Sequence, residues 1–368
     1  MFIPFFAHAA FALPLLVERF ESAPEGWKER VAEGKGGASG KVVLAEGVVT
    51  LTADKHTRKF VALGRRVTLR GYQWLDVSAK VTVSGLQNPA DNAVCGVFIR
   101  FDTGETVPTR HCDDRADSVA HHRFIPIPAA ARDMEVGVML TTIGTVTVDD
   151  LLVATDPPDL KSLVRGSFTY RWLGNDSFRD DQLEANDGRF AELSAVFGVK
   201  AGTRLDYWKY KDAATLETFT GRRGDSVVSP TRVDTIFRND TRALIQFLSS
   251  GWGRPAAFVF EGLAVHLIGD WDGRDPRLST RTAVNEGTAP SLVTLLDPVK
   301  FAAERPERAF TQAGAFISWV VATRGAEAVK ACFAATSPEN SAAQNQAAIE
   351  AALGAPLAKL EADFRGSL

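Results

Sequence analysis

The sequence predicts a two-domain protein, a β-sandwich followed by an α+β domain that is mainly helical. Three observations point there. The chain has 368 residues, long for a single domain. Its first 150 or so residues carry strand-like patterning and the remainder carries helical patterning. Hydrophobic residues make up 45% and charged residues 24%, ordinary soluble composition with apolar material for two cores.

The expected units are 1–14, an apolar leader; 15–157, the sandwich; and 158–368, the helical domain. Met1 to Val17 contains no Lys, Arg, Asp or Glu, and Ala10-Phe11-Ala12 is a small-x-small cleavage pattern. The stretch resembles a secretory signal without its basic n-region, and an apolar first strand is the alternative. Export to the periplasm or the cell exterior is the expectation. The run is too short for a membrane span, and no later stretch offers one.

Trp74 to Val83 alternates apolar and polar residues with period two, the mark of a strand buried on one face. Val42 to Ala53, Val94 to Phe101, Met134 to Leu140 and Thr145 to Val153 add further short β-rich runs. Gly, Asn and Asp separate them, and no helical pattern intervenes, which argues for a sandwich. Thr155-Asp156-Pro157-Pro158-Asp159 reads as a linker. Beyond it, Thr203 to Lys209 reads as a strand. Helices are expected over Asp180–Phe197, Ala213–Thr220, Asp240–Ser249, Ala256–Ile268, Phe310–Thr323, Ala326–Ala335, Ala342–Leu353 and Leu357–Phe364.

Several function classes have no support. A net charge of −3 offers no reason to expect nucleic acid or an anionic membrane as partner. The three cysteines, Cys95, Cys112 and Cys332, form no Cys-x-x-Cys spacing, which argues against a structural zinc knuckle. Cys95 and Cys112 could pair in an oxidising compartment or stay as two buried thiols, and both states are open. There is no Gly-x-Ser-x-Gly elbow and no phosphate-binding Gly-x-x-x-x-Gly-Lys-Ser/Thr loop. Cys332 lies in an Ala-rich helix without a local partner. Paired carboxylates for glycoside hydrolysis have no fixed spacing along a chain. Asp270, Asp272 and Asp275 are the cluster to inspect, and the better reading of them is a Trp271-Asp272-Gly273-Arg274 turn.

Phe20-Glu21-Ser22-Ala23-Pro24-Glu25-Gly26-Trp27, Val136 to Leu140 and Gly144 to Val153 resemble the first and last strands of jelly-roll carbohydrate-binding modules. The resemblance covers about 140 residues. It implies a jelly-roll sandwich and a polysaccharide partner. It also implies a structural calcium shared by Glu21 and Asp149, a hard-oxygen site suited to that ion, although Asp149-Asp150 also reads as a solvated strand end. Sugar binding wants an exposed ring face, and Trp27, Tyr72 and Trp74 are the candidate aromatics. Trp74 falls on the polar phase of its strand with Asp76, Ser78 and Lys80, so it is the least core-like of the three. His111, Cys112, Asp113, Asp114, His121 and His122 are the densest group of metal-ligand types. Their spacing matches no zinc motif, and the segment reads as a surface loop.

In the second half, Thr203 to Tyr210 with Leu216 and Thr220-Gly221, Val233 to Phe237, Phe258 to Val265, and a tail of Gln312 to Ile317, Arg324-Gly325, Ala352-Leu353-Gly354 and Leu360 to Arg365 resemble bacterial gluzincin-like (peptidase MA-like) metallopeptidases. The segments span about 200 residues in that family's order. The resemblance implies a zincin-like fold with a His-Glu-x-x-His helix and a third ligand, Glu, on the next helix. Two histidines one turn apart reach one metal, and the intervening Glu takes a proton from metal-bound water. Here the first His position falls on Arg242, the general base on Ala243 and the second His on Gln246, while Glu261 keeps the third ligand position. No histidine occurs between His122 and His266. Arg242 is a permanent cation that cannot ligate zinc, and Ala243 cannot move a proton. His266, five residues past Glu261, should point elsewhere.

The helix itself supports this. From Arg242 to Leu248 every position except 242 and 246 is apolar, so the helix is expected to be buried. A guanidinium on such a helix needs an anion. The expectation is an Arg242–Glu261 ion pair in place of the metal, with Gln246 hydrogen-bonded beside it and no zinc. The chain then reads as a non-catalytic pseudopeptidase, a binding or scaffolding protein for a peptide or polysaccharide. The alternatives are a hydrolase with a rearranged site using Glu261, and a carbohydrate-binding protein whose second domain is structural support.

Overall fold

A computed structural model of the chain describes residues 14–20, 25–31, 40–54, 61–87, 93–110, 112, 119–155 and 158–368, with 31 and 119–121 described by backbone alone. The apolar leader therefore lies outside the described residues up to Pro14, where the first strand begins.

In chain order the first half forms β1 (Pro14–Glu18), β2 (Lys28–Val31), β3 (Gly40–Ala45), β4 (Val48–Ala53), β5 (Val61–Thr68), β6 (Trp74–Ser84), β7 (Cys95–Phe101), β8 (Thr106–Pro108), β9 (Val119–Pro126), β10 (Asp133–Leu140) and β11 (Gly144–Ala154). They make two antiparallel sheets. One runs β3-β4-β11-β6-β9, with β1 paired to the far end of β11, and the other runs β2-β5-β10-β7-β8. The chain changes sheet at most of its connections, which is jelly-roll wiring. Period-two patterning decides which side chains meet between the sheets. On β6, Leu75, Val77, Val81 and Val83 are buried, while Trp74, Asp76, Ser78 and Lys80 point outward. Leu63, Val97, Ile99, Val136 and Val138 close the same core from the second sheet.

The β-rich run Val42 to Ala53 forms the hairpin of β3 and β4, where Glu46 and Gly47 both take positive φ (52° and 81°) and reverse the chain. One expectation needs correction here, because the His-rich segment is not simply a loop. His121 and His122 stand on β9, opposite Ala79 and Ser78 of β6. His111, Asp113 and Asp114 lie outside the described residues.

The second half begins with the hairpin β12 (Leu160–Arg165) and β13 (Phe168–Leu173), followed by α1 (Asp180–Phe197), β14 (Leu205–Lys209), α2 (Ala213–Thr220), β15 (Ser226–Val228) and β16 (Arg232–Thr235). The remaining helices are α3 (Thr241–Ser249), α4 (Ala257–Ile268), α5 (Pro276–Asn285), α6 (Leu292–Leu295), α7 (Pro298–Ala303), α8 (Pro306–Arg324), α9 (Ala326–Ala335), α10 (Ala342–Leu353) and α11 (Leu357–Gly366). A five-stranded sheet runs β12-β13-β14-β16-β15. Its three inner strands are parallel, and β12 and β15 are antiparallel edges. One apolar core joins sheet and helices through Phe168, Tyr207, Leu244, Val259, Phe316 and Phe364, among others. The half is thus α+β and mainly helical, as expected, although β12, β13, β15 and α5 to α7 were not foreseen.

Cys95 and Cys112 are disulfide-bonded, with Cα atoms 4.9 Å apart. Cys332 is buried and free, and burial pushes its thiol up to about 12. Among the described residues no helix is long and apolar enough to cross a membrane.

Candidate functional site

Arg242, Ala243 and Gln246 lie on helix α3, and its start is fixed firmly. Asp240 caps it by accepting the Ala243 amide at 2.9 Å. The other Asp240 oxygen accepts from Thr235 Oγ1 at 2.7 Å and also from Ser226 Oγ. The Asp240 amide donates to Tyr207 Oη (3.1 Å), which in turn donates to the Phe237 carbonyl (3.1 Å). Burial pushes the Tyr207 hydroxyl well above its ordinary value, so it stays a neutral relay between sheet and helix. Ala243, Leu244, Ile245, Phe247 and Leu248 are buried, and residues 242 and 246 face out.

Opposite stands α4, carrying Glu261. Its backbone lies close against α8 because two positions lack a side chain. A Cβ on Gly262 would come 2.7 Å from the Ala313 carbonyl oxygen, and one on Gly314 would come 2.3 Å from Val265 Cγ1. Glu261 is thereby held at the wall facing α3.

Between them lies a two-pronged ion pair. Arg242 Nε donates to Glu261 Oε2 at 3.0 Å, and Nη2 donates to Oε1. The guanidinium carbon sits 5.1 Å from the Phe260 ring centre. The two ends differ in environment, since the Arg242 side chain is 46% exposed and that of Glu261 only 10%. The hydrogen bonds that Arg242 donates to Glu261 raise its guanidinium further above its ordinary value, against the opposing effect of burial. The expected pair is therefore present. The expected place of Gln246 is not. Its side chain is exposed and makes no hydrogen bond to the pair among the described residues. Ala243 is fully buried. His266 points away, with Nδ1 2.9 Å from Ser318 Oγ, and burial lowers it. Both Glu261 oxygens are occupied by a cation, so the carboxylate is not poised as a base. Among the described residues no three His, Cys, Asp or Glu side chains converge on one point.

The other nominated residues scatter. Trp27 packs edge-on to Phe20 (5.4 Å between ring centres), and its Nε1 donates to Glu18 Oε2 at 3.2 Å. Tyr72 is half-buried. Trp74 faces outward, as its phase implies, but it is no open platform. It packs 6.2 Å from Trp208 and 6.3 Å from Phe219 of the second half. Glu21 lies outside the described residues. Asp149 sits at a bulge in β11 and accepts the Asp150 amide at 2.7 Å. Asp270 accepts the Gly273 amide at 2.9 Å and Asp275 caps α5, so that acidic cluster makes the expected turn and a cap.

Two grooves escaped the sequence reading. One, of about 500 Å³, lies at the seam between the halves, beside His122, Phe124, Asp159, Asp212 and Phe219. The other, of about 450 Å³, crosses the outer face of the β2-β5-β10-β7-β8 sheet. There the Glu135 side chain lies over the bare backbone of Gly64, and Arg30 (2.8 Å) and Arg100 (3.7 Å) flank its carboxylate. Period two does place Glu135 and Arg100 on the outer face. What hides the grooves from the sequence is that their walls come from strands distant along the chain.

No family model matches the chain, and no curated protein matches it. Among solved structures, the CBM22-1 xylan-binding domain from Paenibacillus barcinonensis is similar at 13% identity, over 40% of this chain and 97% of that one, with a TM-score of 0.27. A CBM4 structure is similar at 16% identity, over 39% and 95%, with a TM-score of 0.28. A family 29 carbohydrate binding module is similar at 10% identity, over 39% and 88%, with a TM-score of 0.27.

Proposed function

We propose that the chain is a pseudopeptidase, a non-catalytic binding or scaffolding protein whose second half has a zincin-like fold with an ion pair in place of the metal. The observation that carries this reading is the two-pronged Arg242–Glu261 contact between α3 and α4. It supplies a fixed cation where a zinc ion would stand, and it occupies the one retained ligand. The sheet with an antiparallel edge strand β15 beside α3 also supports it, because a peptide could align along such an edge. The Cys95–Cys112 disulfide supports an exported location.

The test is metal and activity together. The purified protein should contain no zinc and cleave no peptide library. The double variant Arg242→His/Gln246→His should take up one equivalent of zinc, since it restores three ligands with Glu261. Stoichiometric zinc in the unaltered protein, or peptide cleavage lost on Glu261→Ala, would overturn the reading in favour of a hydrolase using Glu261.

A second reading concerns the sandwich. The groove over Gly64, with Arg30, Arg100 and Glu135 along it, supports polysaccharide binding, because such planar groups suit vicinal hydroxyls. Glycan-array binding that survives Trp74→Ala and is lost on Glu135→Ala would place the ligand there. A calcium shared by Glu21 and Asp149 would tie the first strand to the last, and elemental analysis before and after chelation checks it.

A further inference from the structure

The groove on the outer face of the β2-β5-β10-β7-β8 sheet is open, about 450 Å³ in volume, and cationic along most of its length. Strand pairing sets the pattern. Lys28 of β2 stands opposite Gly64 of β5, and Arg30 opposite Ala62. One step along the same face, Glu135 of β10 stands between Arg66 of β5 and Arg100 of β7. Period two turns all four cations to the groove. Arg66 is the diagonal neighbour of Lys28 across β2 and β5, roughly 7–8 Å away.

The carboxylates of the groove leave two of these cations unmatched. Asp102 and Asp133 stand together at one end, where the Asp102 amide donates to the Asp133 carbonyl at 3.0 Å. Asp102 accepts the Arg132 and Asp133 amides at 3.2 and 3.3 Å, and Asp133 accepts from Thr68 Oγ1 at 2.9 Å. Glu135 is shared by Arg30 and Arg100. Lys28 and Arg66 are exposed and have no ion-pair or hydrogen-bond partner among the described residues. Arg30 and Arg100 also keep surface for a ligand, with side chains 45% and 33% exposed. The groove offers no ring face, because Phe98 and Phe101 are each 1% exposed. Recognition there must rest on charge and hydrogen bonds, without stacking.

On the polysaccharide reading of the sandwich, we infer that this groove takes an acidic polysaccharide of the polyuronate class. One uronate carboxylate lies between Lys28 and Arg66, since the arginine fork matches its two oxygens and the ammonium adds a third contact. The exposed N–H groups of Arg30 and Arg100, held in place by Glu135, reach the hydroxyls of the neighbouring sugar.

Calorimetric titration of the full chain with hexagalacturonate, an alginate hexasaccharide, neutral xylohexaose and dextran sulfate tests this. A uronate should bind saturably, at least about tenfold more tightly than xylohexaose, and more weakly as salt rises. Lys28→Ala/Arg66→Ala should weaken uronate binding at least about tenfold. Both side chains are exposed, so its unfolding temperature should match that of the unaltered chain. Lys28→Arg should keep the binding. Xylohexaose binding as tightly as either uronate, or a double variant with unchanged uronate affinity, would overturn the inference and leave the polysaccharide reading standing. Dextran sulfate binding as tightly as the uronates would mark unselective charge attraction and overturn it too. Saturable binding to no sugar, on a glycan array as in the titrations, would remove both.

Discussion

Arg242 and Glu261 illustrate how two ends of one ion pair carry different risks. The Arg242 side chain is nearly half exposed and can turn to water, whereas Glu261 is 10% exposed and cannot. Removing the cation therefore strands a buried carboxylate, while neutralising the carboxylate only frees a cation to hydrate. Arg242→Ala should cost about 2 kcal/mol, after discounting for solvent around the arginine. Glu261→Gln should cost less than about 1 kcal/mol. Urea unfolding of both variants measures the difference, and equal losses would contradict the asymmetry. The pair was legible in the sequence because a single arginine on an otherwise apolar helix demands an anion. Gln246 was misjudged for a related reason. A polar side chain one turn along shares the helix face, but that does not say whether the face opens to protein or to water.

At the scale of elements, α4 and α8 depend on missing side chains. Gly262 and Gly314 let the two backbones approach so closely that a methyl group at either would meet backbone or a branched side chain. Gly262→Ala should therefore lower stability by about 1–3 kcal/mol, overpacking outweighing the gain in helix propensity. Chemical unfolding checks the loss. The helices were legible because their apolar spacing is long and periodic, and α1, α2, α9 and α10 begin and end where the pattern says. The edges of sheets were not. On β12 four consecutive residues are exposed, so no alternation marks it. On β9, His122 meets Asp76 of the neighbouring strand β6 while Phe124 meets Phe219 across the seam, and the strand's polar composition imitates a solvated loop.

For the whole molecule, the seam is the deciding feature. Trp74 and Phe124 of the sandwich interlock with Trp208, Tyr210 and Phe219 of the second half, with Phe124 and Phe219 5.1 Å apart. Aromatic contacts of this kind bury large areas, so the two halves should unfold together. The double variant Trp74→Ala/Phe219→Ala should turn a single calorimetric transition into two, because it removes the shared apolar contact while sparing both cores. A single transition in that variant would mean that the halves are coupled elsewhere.

By itself, the sequence determined the two kinds of texture, the inward and outward phases of β6, most of the helices, and the need of Arg242 for an anion. These follow from local periodicity and from side-chain chemistry, which a linear chain displays directly. Only the tertiary structure decided that Arg242 grips Glu261 while Gln246 stays in water, and that Trp74 seals a domain junction. Each of these depends on which distant segment covers a side chain. That is settled by packing between elements, and no local pattern records it.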